Sequence, residues 1–310
     1  RSYPAVVALH SGGGPEQARQ LWGPEAARRG FILIAPEYRL PDRPADYGFT
    51  REEHAAVELA VRDASKRLAI DTDRVGLVGS LFGGTMAWDV GLSHPGRFNG
   101  VVAMSALPGK HIAAYKTNAK LAALYIIQGK LTPGSDRIIA EGCRALIGSN
   151  NDLTYVEYYH RGLETIAGEV PAAYDWLEAR KREAYPSEFK AVAGREGDTR
   201  FFGTVINAFA PGRAPDPGGI DATGSNLKPA TLSWTLNPRA NSIKLEADGV
   251  TSLDLWVPAV GLDLQQPVEL RVNGQSLYKG PIPRDLEPML RDLRIRGDRR
   301  QTYLFRVQAG

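Results

Sequence analysis

Six short apolar runs, separated by helix-like stretches, dominate the first 185 residues: Val6–Leu9, Phe31–Ala35, Val75–Val78, Val101–Met104, Leu124–Ile127 and Thr154–Tyr158. The first five runs are continuously apolar instead of alternating, and the sixth largely so apart from Glu157, which points to a sheet buried on both faces. Strands of that kind, linked by crossover helices, make a parallel sheet with helices on either side. Between the second and third runs, Val57, Val61, Ala64 and Leu68 recur at spacings of three and four, the inner stripe of a crossover helix. Asp71-Thr72-Asp73 reads as the turn that follows it.

The pattern changes after a helical stretch from Glu169 to Arg182, anchored by Tyr174 and Trp176. Beyond Tyr185-Pro186-Ser187 and the Gly194–Asp198 segment, alternating strands take over: Phe201–Ile206, Thr231–Leu236, Ser242–Ala247, Ser252–Val257, Val268–Val272, Ser276–Lys279 and Thr302–Val307. Asn273-Gly274 marks a tight hairpin, because both residues tolerate positive φ. A helix over Leu286–Arg294 interrupts the run, and the Pro- and Gly-rich stretch Ala210–Lys228 reads as an exposed loop. The expected organisation is an α/β domain over 1–190 and a small antiparallel β-rich domain over 198–310. The content of 43% hydrophobic and 8% aromatic residues is enough to give both a core.

Two motifs carry chemistry. In Val75-Gly76-Leu77-Val78-Gly79-Ser80-Leu81-Phe82-Gly83-Gly84, glycines flank Leu81 at two residues on either side. This is the G-x-S-x-G frame of a nucleophile elbow, where strand and helix approach so closely that only small neighbours fit. Leu81 stands where the nucleophile belongs. Moving the frame to centre on Ser80 would require Val78 and Phe82 to act as the glycines. His10-Ser11-Gly12-Gly13-Gly14, directly after the first strand, has the form of a loop whose backbone N–H groups supply an oxyanion hole.

With these motifs, the stretch from Tyr3 to about Lys181 resembles the α/β-hydrolase superfamily, in particular the bacterial secreted esterases, depolymerase-like enzymes and prolyl-oligopeptidase-like peptidases. Gly83-Gly84-Thr85-Met86-Ala87-Trp88-Asp89 after the elbow and His94-Pro95-Gly96-Arg97-Phe98 before the next strand carry the likeness. The resemblance implies an acid after Gly129-Lys130-Leu131, where Thr132 stands, and a histidine after Arg161-Gly162, where Leu163 stands. It also implies a chain that begins late, without the usual first strands, and an extracytoplasmic location. On this reading the triad positions Leu81, Thr132 and Leu163 lack a hydroxyl nucleophile, a carboxylate and an imidazole, while His10, Ser11, Gly12, Gly13 and Phe82 retain an oxyanion-like pocket. The expected role is a non-catalytic homologue: a binding, scaffold or assembly subunit with an apolar ligand in the old pocket and a protein partner, or a second copy, on the β-rich domain.

The alternative is an active serine-type esterase or peptidase with a displaced nucleophile, Ser80 or Ser11, served by His160 and Asp136. Otherwise His160 is a loop residue and Asp136 a helix cap, while His54 and His94 are structural and His111 lies near the pocket loops. No cofactor is implied, and no HExxH, calcium loop or Cys/His cluster points to a metal. Cys143 is the single cysteine, so no internal disulfide forms. The net charge is +3, and the densest basic run, Arg291–Arg300, alternates with Asp292 and Asp298, which reads as a mixed-charge surface and not a nucleic-acid groove. No apolar stretch is long enough to span a bilayer.

Overall fold

A computed structural model of the chain describes residues 2–39, 47–132, 136–283 and 285–310, with the side chains of 136–138 set aside. The chain divides into two compact units, residues 1–182 with 221–225, and residues 183–220 with 226–310.

In the first unit, β1 (Tyr3–Leu9), β2 (Ile32–Ile34), β3 (Ile70–Ser80), β4 (Gly100–Met104), β5 (Leu124–Gly129) and β6 (Leu153–Tyr158) form a six-stranded sheet in the order β2-β1-β3-β4-β5-β6. Every pairing is parallel, as the buried apolar runs require. The helices are α1 (Gly14–Arg29), α2 (Arg51–Arg67), α3 (Phe82–Ser93), α4 (Lys110–Ala114), α5 (Asp136–Gly148) and α6 (Val170–Glu178). One face of the sheet, with Val6, Val78, Val102 and Ile127, packs on Trp22 of α1 and on Tyr174 and Leu177 of α6. On the other face, α3 lies so close that a Cβ on its Gly91 would meet Val101 at 2.4 Å. That closeness explains why α3 is apolar all round and buried from Gly83 to Ser93.

α2 starts with a capping box in which Thr50 accepts from the Glu53 N–H and the Glu53 carboxylate accepts from the Thr50 N–H. It buries Val57 and Val61, but Leu68 falls after its end and is exposed, which shortens the expected stripe. Asp71-Thr72-Asp73 is not a turn between elements: it lies inside β3. The turn chemistry still shows, because the register against β1 jumps from Tyr3↔Ile70 to Ala5↔Val75, and the Asp71 carboxylate accepts the Asp73 N–H inside the resulting bulge.

The second unit holds β7 (Glu188–Ala193), β8 (Arg200–Phe201), β9 (Thr204–Phe209), β10 (Ala230–Asn237), β11 (Ser242–Asp248), β12 (Val250–Pro258), β13 (Val268–Val272), β14 (Gln275–Gly280), α7 (Glu287–Arg296) and β15 (Tyr303–Ala309). Its two sheets run β14-β13-β11-β10-β7 and β15-β12-β9-β8. They meet through aromatic contacts, Phe189 with Phe202 and Tyr278 with Phe305. β7 lies within the stretch from Tyr185 to Asp198 that the sequence suggested as a divider, and the second unit begins at Glu183. β11 and β13 pair in parallel, against the expectation of a wholly antiparallel region, because β12 leaves for the other sheet between them. At the β13–β14 hairpin, Asn273 and Gly274 adopt φ of 48° and 78°.

Candidate functional site

The site forms where β3 ends and α3 begins. Leu81 sits at that corner with φ 56° and ψ −122°, a conformation costing a non-glycine residue about 1–3 kcal/mol. Its N–H donates to the Met104 carbonyl at 2.9 Å. The flanking glycines are obligatory. A Cβ on Gly79 would meet the Gly83 carbonyl oxygen at 2.0 Å, and one on Gly83 would meet the Leu9 oxygen at 2.2 Å. The first N–H groups of α3, from Phe82 onward, have no carbonyl of a preceding turn to bond, so the corner presents donors whatever side chain Leu81 carries.

A cavity of about 300 Å³ opens at this corner. Tyr47, Phe49, Leu81, Phe82, Leu107 and Leu163 supply its apolar wall. The elbow position and the expected histidine position therefore share one cavity, and Leu stands at both. Its polar atoms come from Ser11, Thr85 and Ser105. Two of these are already engaged: the Thr85 hydroxyl accepts the Leu107 N–H at 3.0 Å, and the Ser105 hydroxyl donates to the Glu164 carbonyl at 2.5 Å. Tyr47 is fixed from behind, its hydroxyl 2.5 Å from the Asp89 carboxylate and 2.6 Å from His54 Nε2. His54 in turn lies 3.3 Å from His94, and His111 is buried behind Phe49.

Thr132 does not line this cavity. It is buried on the loop after β5, its hydroxyl donating to the Gly129 carbonyl at 2.8 Å. That loop is tied to the one carrying Leu163: Lys130 N–H donates to Tyr158 O, Leu131 N–H donates to Arg161 O, and a Cβ on Gly129 would lie 2.3 Å from the Gly162 oxygen. Thr132 and Leu163, the positions expected for an acid and a histidine, thus belong to abutting loops, although only Leu163 reaches the cavity.

Ser80 points elsewhere. Its hydroxyl hydrogen-bonds Thr165 at 2.8 Å, and both line a second cavity of about 330 Å³ shared with His10 and Gln17. His160 is exposed at φ 60° in the turn after β6 and lines neither cavity. Asp136 opens α5, but its side chain lies outside the described residues.

The glycine loop is bolted in place by its neighbours. His10 is buried and stacked on Tyr38 at 4.4 Å. Its Nδ1 faces the Ser11 carbonyl at 2.7 Å and its Nε2 the Glu37 carboxylate at 3.1 Å. The ring is thus held from both of its nitrogens. Arg39 hydrogen-bonds hold the Glu37 carboxyl down at about 2, with His10 adding to the effect. Arg39 also donates to the Gly12 carbonyl at 3.1 Å. The Ser11 N–H, a candidate oxyanion donor, is taken by the Gln17 side chain at 3.1 Å. Gly12 and Gly13 are exposed on the same loop.

Sequence reasoning missed Tyr47, Phe49, Thr85, Ser105 and Leu107. Ser105 was within reach, since it directly follows β4 and ligands in open α/β sheets bind beyond the carboxyl ends of strands. Tyr47 and Phe49 carried no periodic signal.

A parallel sheet in this order, helices on both faces and a strand–turn–helix corner holding a non-glycine residue at positive φ define the α/β-hydrolase fold. No protein-family model matches the sequence, and no curated protein matches it. Among solved structures, the chain is similar to a thermostable esterase at 16% identity and a TM-score of 0.48, covering 59% of this chain and 56% of that one. The chain thus spans little more than half the length of that relative. It is also similar to esterase PE8 at 20% identity and a TM-score of 0.45, covering 57% and 93%. A hyperthermophilic esterase from Pyrobaculum calidifontis is matched at 15% identity with a TM-score of 0.47, covering 57% and 75%.

Proposed function

We propose that the chain is a non-catalytic protein on a hydrolase scaffold, which binds an uncharged apolar ligand at the elbow and acts as a binding or assembly subunit. One observation carries this reading: the cavity at the corner is lined by Leu81 and Leu163, and among the described residues its lining includes no imidazole and no carboxylate. Acyl transfer by a serine enzyme needs a hydroxyl beside a general base. Leu81 cannot attack, and the Thr132 hydroxyl is committed to a backbone carbonyl. An apolar wall with Thr85 and Ser105 already bonded offers little to a charged ligand, whose burial would go uncompensated. The β-rich region from about residue 198 onward supplies the contact to a protein partner or second copy in this reading, its edge strands being natural pairing surfaces.

The test is hydrolysis of short-chain 4-nitrophenyl esters by the purified protein, together with labelling by a serine-reactive phosphonate. Turnover at the buffer rate and no labelling are expected. Phosphonate on Ser80 or Ser11 would overturn the reading. Restoring Leu81→Ser, Thr132→Asp and Leu163→His together should yield measurable esterase activity, because the backbone donors at the start of α3 act separately from a triad.

A further inference from the structure

The run Arg291–Arg300 alternates basic with acidic residues in sequence, but the side chains separate the two signs. Asp292 and Asp298 are 2% and 0% exposed. The Asp292 carboxylate receives Arg200 at 2.9 Å and Arg296 at 2.5 Å, and Asp298 accepts the N–H groups of Arg300 and Gln301. Arg296 completes this inner side, its guanidinium 5.3 Å from the Tyr303 ring centroid. α7 therefore seats itself through Asp292 and Arg296, with Met289 and Leu293 partly buried on the same side.

The outward side keeps the remainder. Arg291, Arg294 and Arg299 are exposed and make no ion pair among the described residues. Beside them Leu286, Leu290 and Ile295 are 62%, 56% and 58% exposed. The exposed side of α7 thus mixes arginines with large apolar side chains that stay in water. Folding within the chain does not account for that arrangement, since apolar side chains left in water add nothing to stability.

We propose that α7 docks on an anionic lipid surface, with Leu286, Leu290 and Ile295 entering the boundary between headgroups and acyl chains and Arg291, Arg294 and Arg299 pairing with lipid phosphates. Charge complementarity identifies the occupant: exposed arginines interleaved with large apolar side chains on one helix are the combination an acidic membrane face rewards. A polyanion such as nucleic acid would use the arginines and leave the leucines in water. The exposed acids of this segment, Asp285 and Glu287, lie at its amino end on either side of Leu286, so the attraction to lipid phosphates comes from the arginines further along α7 and in the turn after it. Such contact is peripheral, in keeping with the finding that no helix among the described residues is long and apolar enough to cross a membrane.

The experiment is co-sedimentation of the intact protein with vesicles of phosphatidylcholine alone or mixed with phosphatidylglycerol, at low and high salt, with heparin as competitor. Binding to the anionic vesicles only, weakened by salt, is expected. Leu286→Glu with Leu290→Glu, and separately Arg291→Gln with Arg294→Gln, should each weaken it by about tenfold or more, at an unchanged thermal midpoint because these side chains are exposed. Equal binding to both vesicle types, or to neither, overturns the proposal. So does binding that heparin abolishes and the leucine substitutions leave intact, which would mark a site for soluble polyanions.

Discussion

The elbow corner and the seat of α7 are both tightly built, but from opposite materials. At the corner, backbone meets backbone: Gly79 against Gly83, Gly83 against Leu9, Gly84 against Met104. Side chains there are incidental to the shape, which is how a leucine occupies a strained corner while the turn keeps its form. Under α7, side chains set the position, with Asp292 between two arginines and a tyrosine ring behind them. A backbone-built corner can exchange its side chain and stay folded. A charge-built seat loses its geometry along with its charges.

The sharpest way to break this comparison is Gly83→Ala. A Cβ 2.2 Å from the Leu9 oxygen leaves no side-chain adjustment available, so a loss of about 4 kcal/mol or more in chemical denaturation is expected. A loss under about 1 kcal/mol would mean that the corner yields. Next comes Asp292→Asn, which keeps the shape and removes the charge between Arg200 and Arg296. Because both arginines keep some exposure, the expected loss is roughly 2–4 kcal/mol. The outward face should swing at the same time, visible as faster amide exchange across Leu286–Arg296.

Leu81 gives a finer discrimination. At φ 56° glycine is unstrained and alanine is not, so Leu81→Gly should be more stable than Leu81→Ala by about 1 kcal/mol. The reverse order, as in an ordinary helix, would show that the turn relaxes. The smallest effect concerns Glu37. Its carboxyl is held at about 2 in the folded chain against an ordinary value of 4.5, so its contribution is present above about pH 4.5 and is lost as the pH falls towards 2. With the carboxylate half exposed, this should stay under about 1 kcal/mol. Glu37→Gln should narrow the stability difference between pH 6 and pH 3, and an unchanged difference would remove Glu37 from the support of the glycine loop.

The sequence by itself determined the parallel sheet, the corner and the hairpin at Asn273-Gly274. These follow from signals that are local or strongly periodic: apolar runs that must be covered on both faces, glycines that must flank a close approach, and residues that tolerate positive φ. Tertiary structure decided what no window of sequence contains. It set Ser80 towards Thr165 and away from the elbow cavity, and it left Thr132 bonded to its own strand end. It brought β11 and β13 into parallel pairing. It also buried Asp292 and Asp298 together with Arg296 and left Arg291, Arg294 and Arg299 exposed, because a helix turns successive residues by about 100° and only the neighbour, here Arg200 and Tyr303, determines which side is covered.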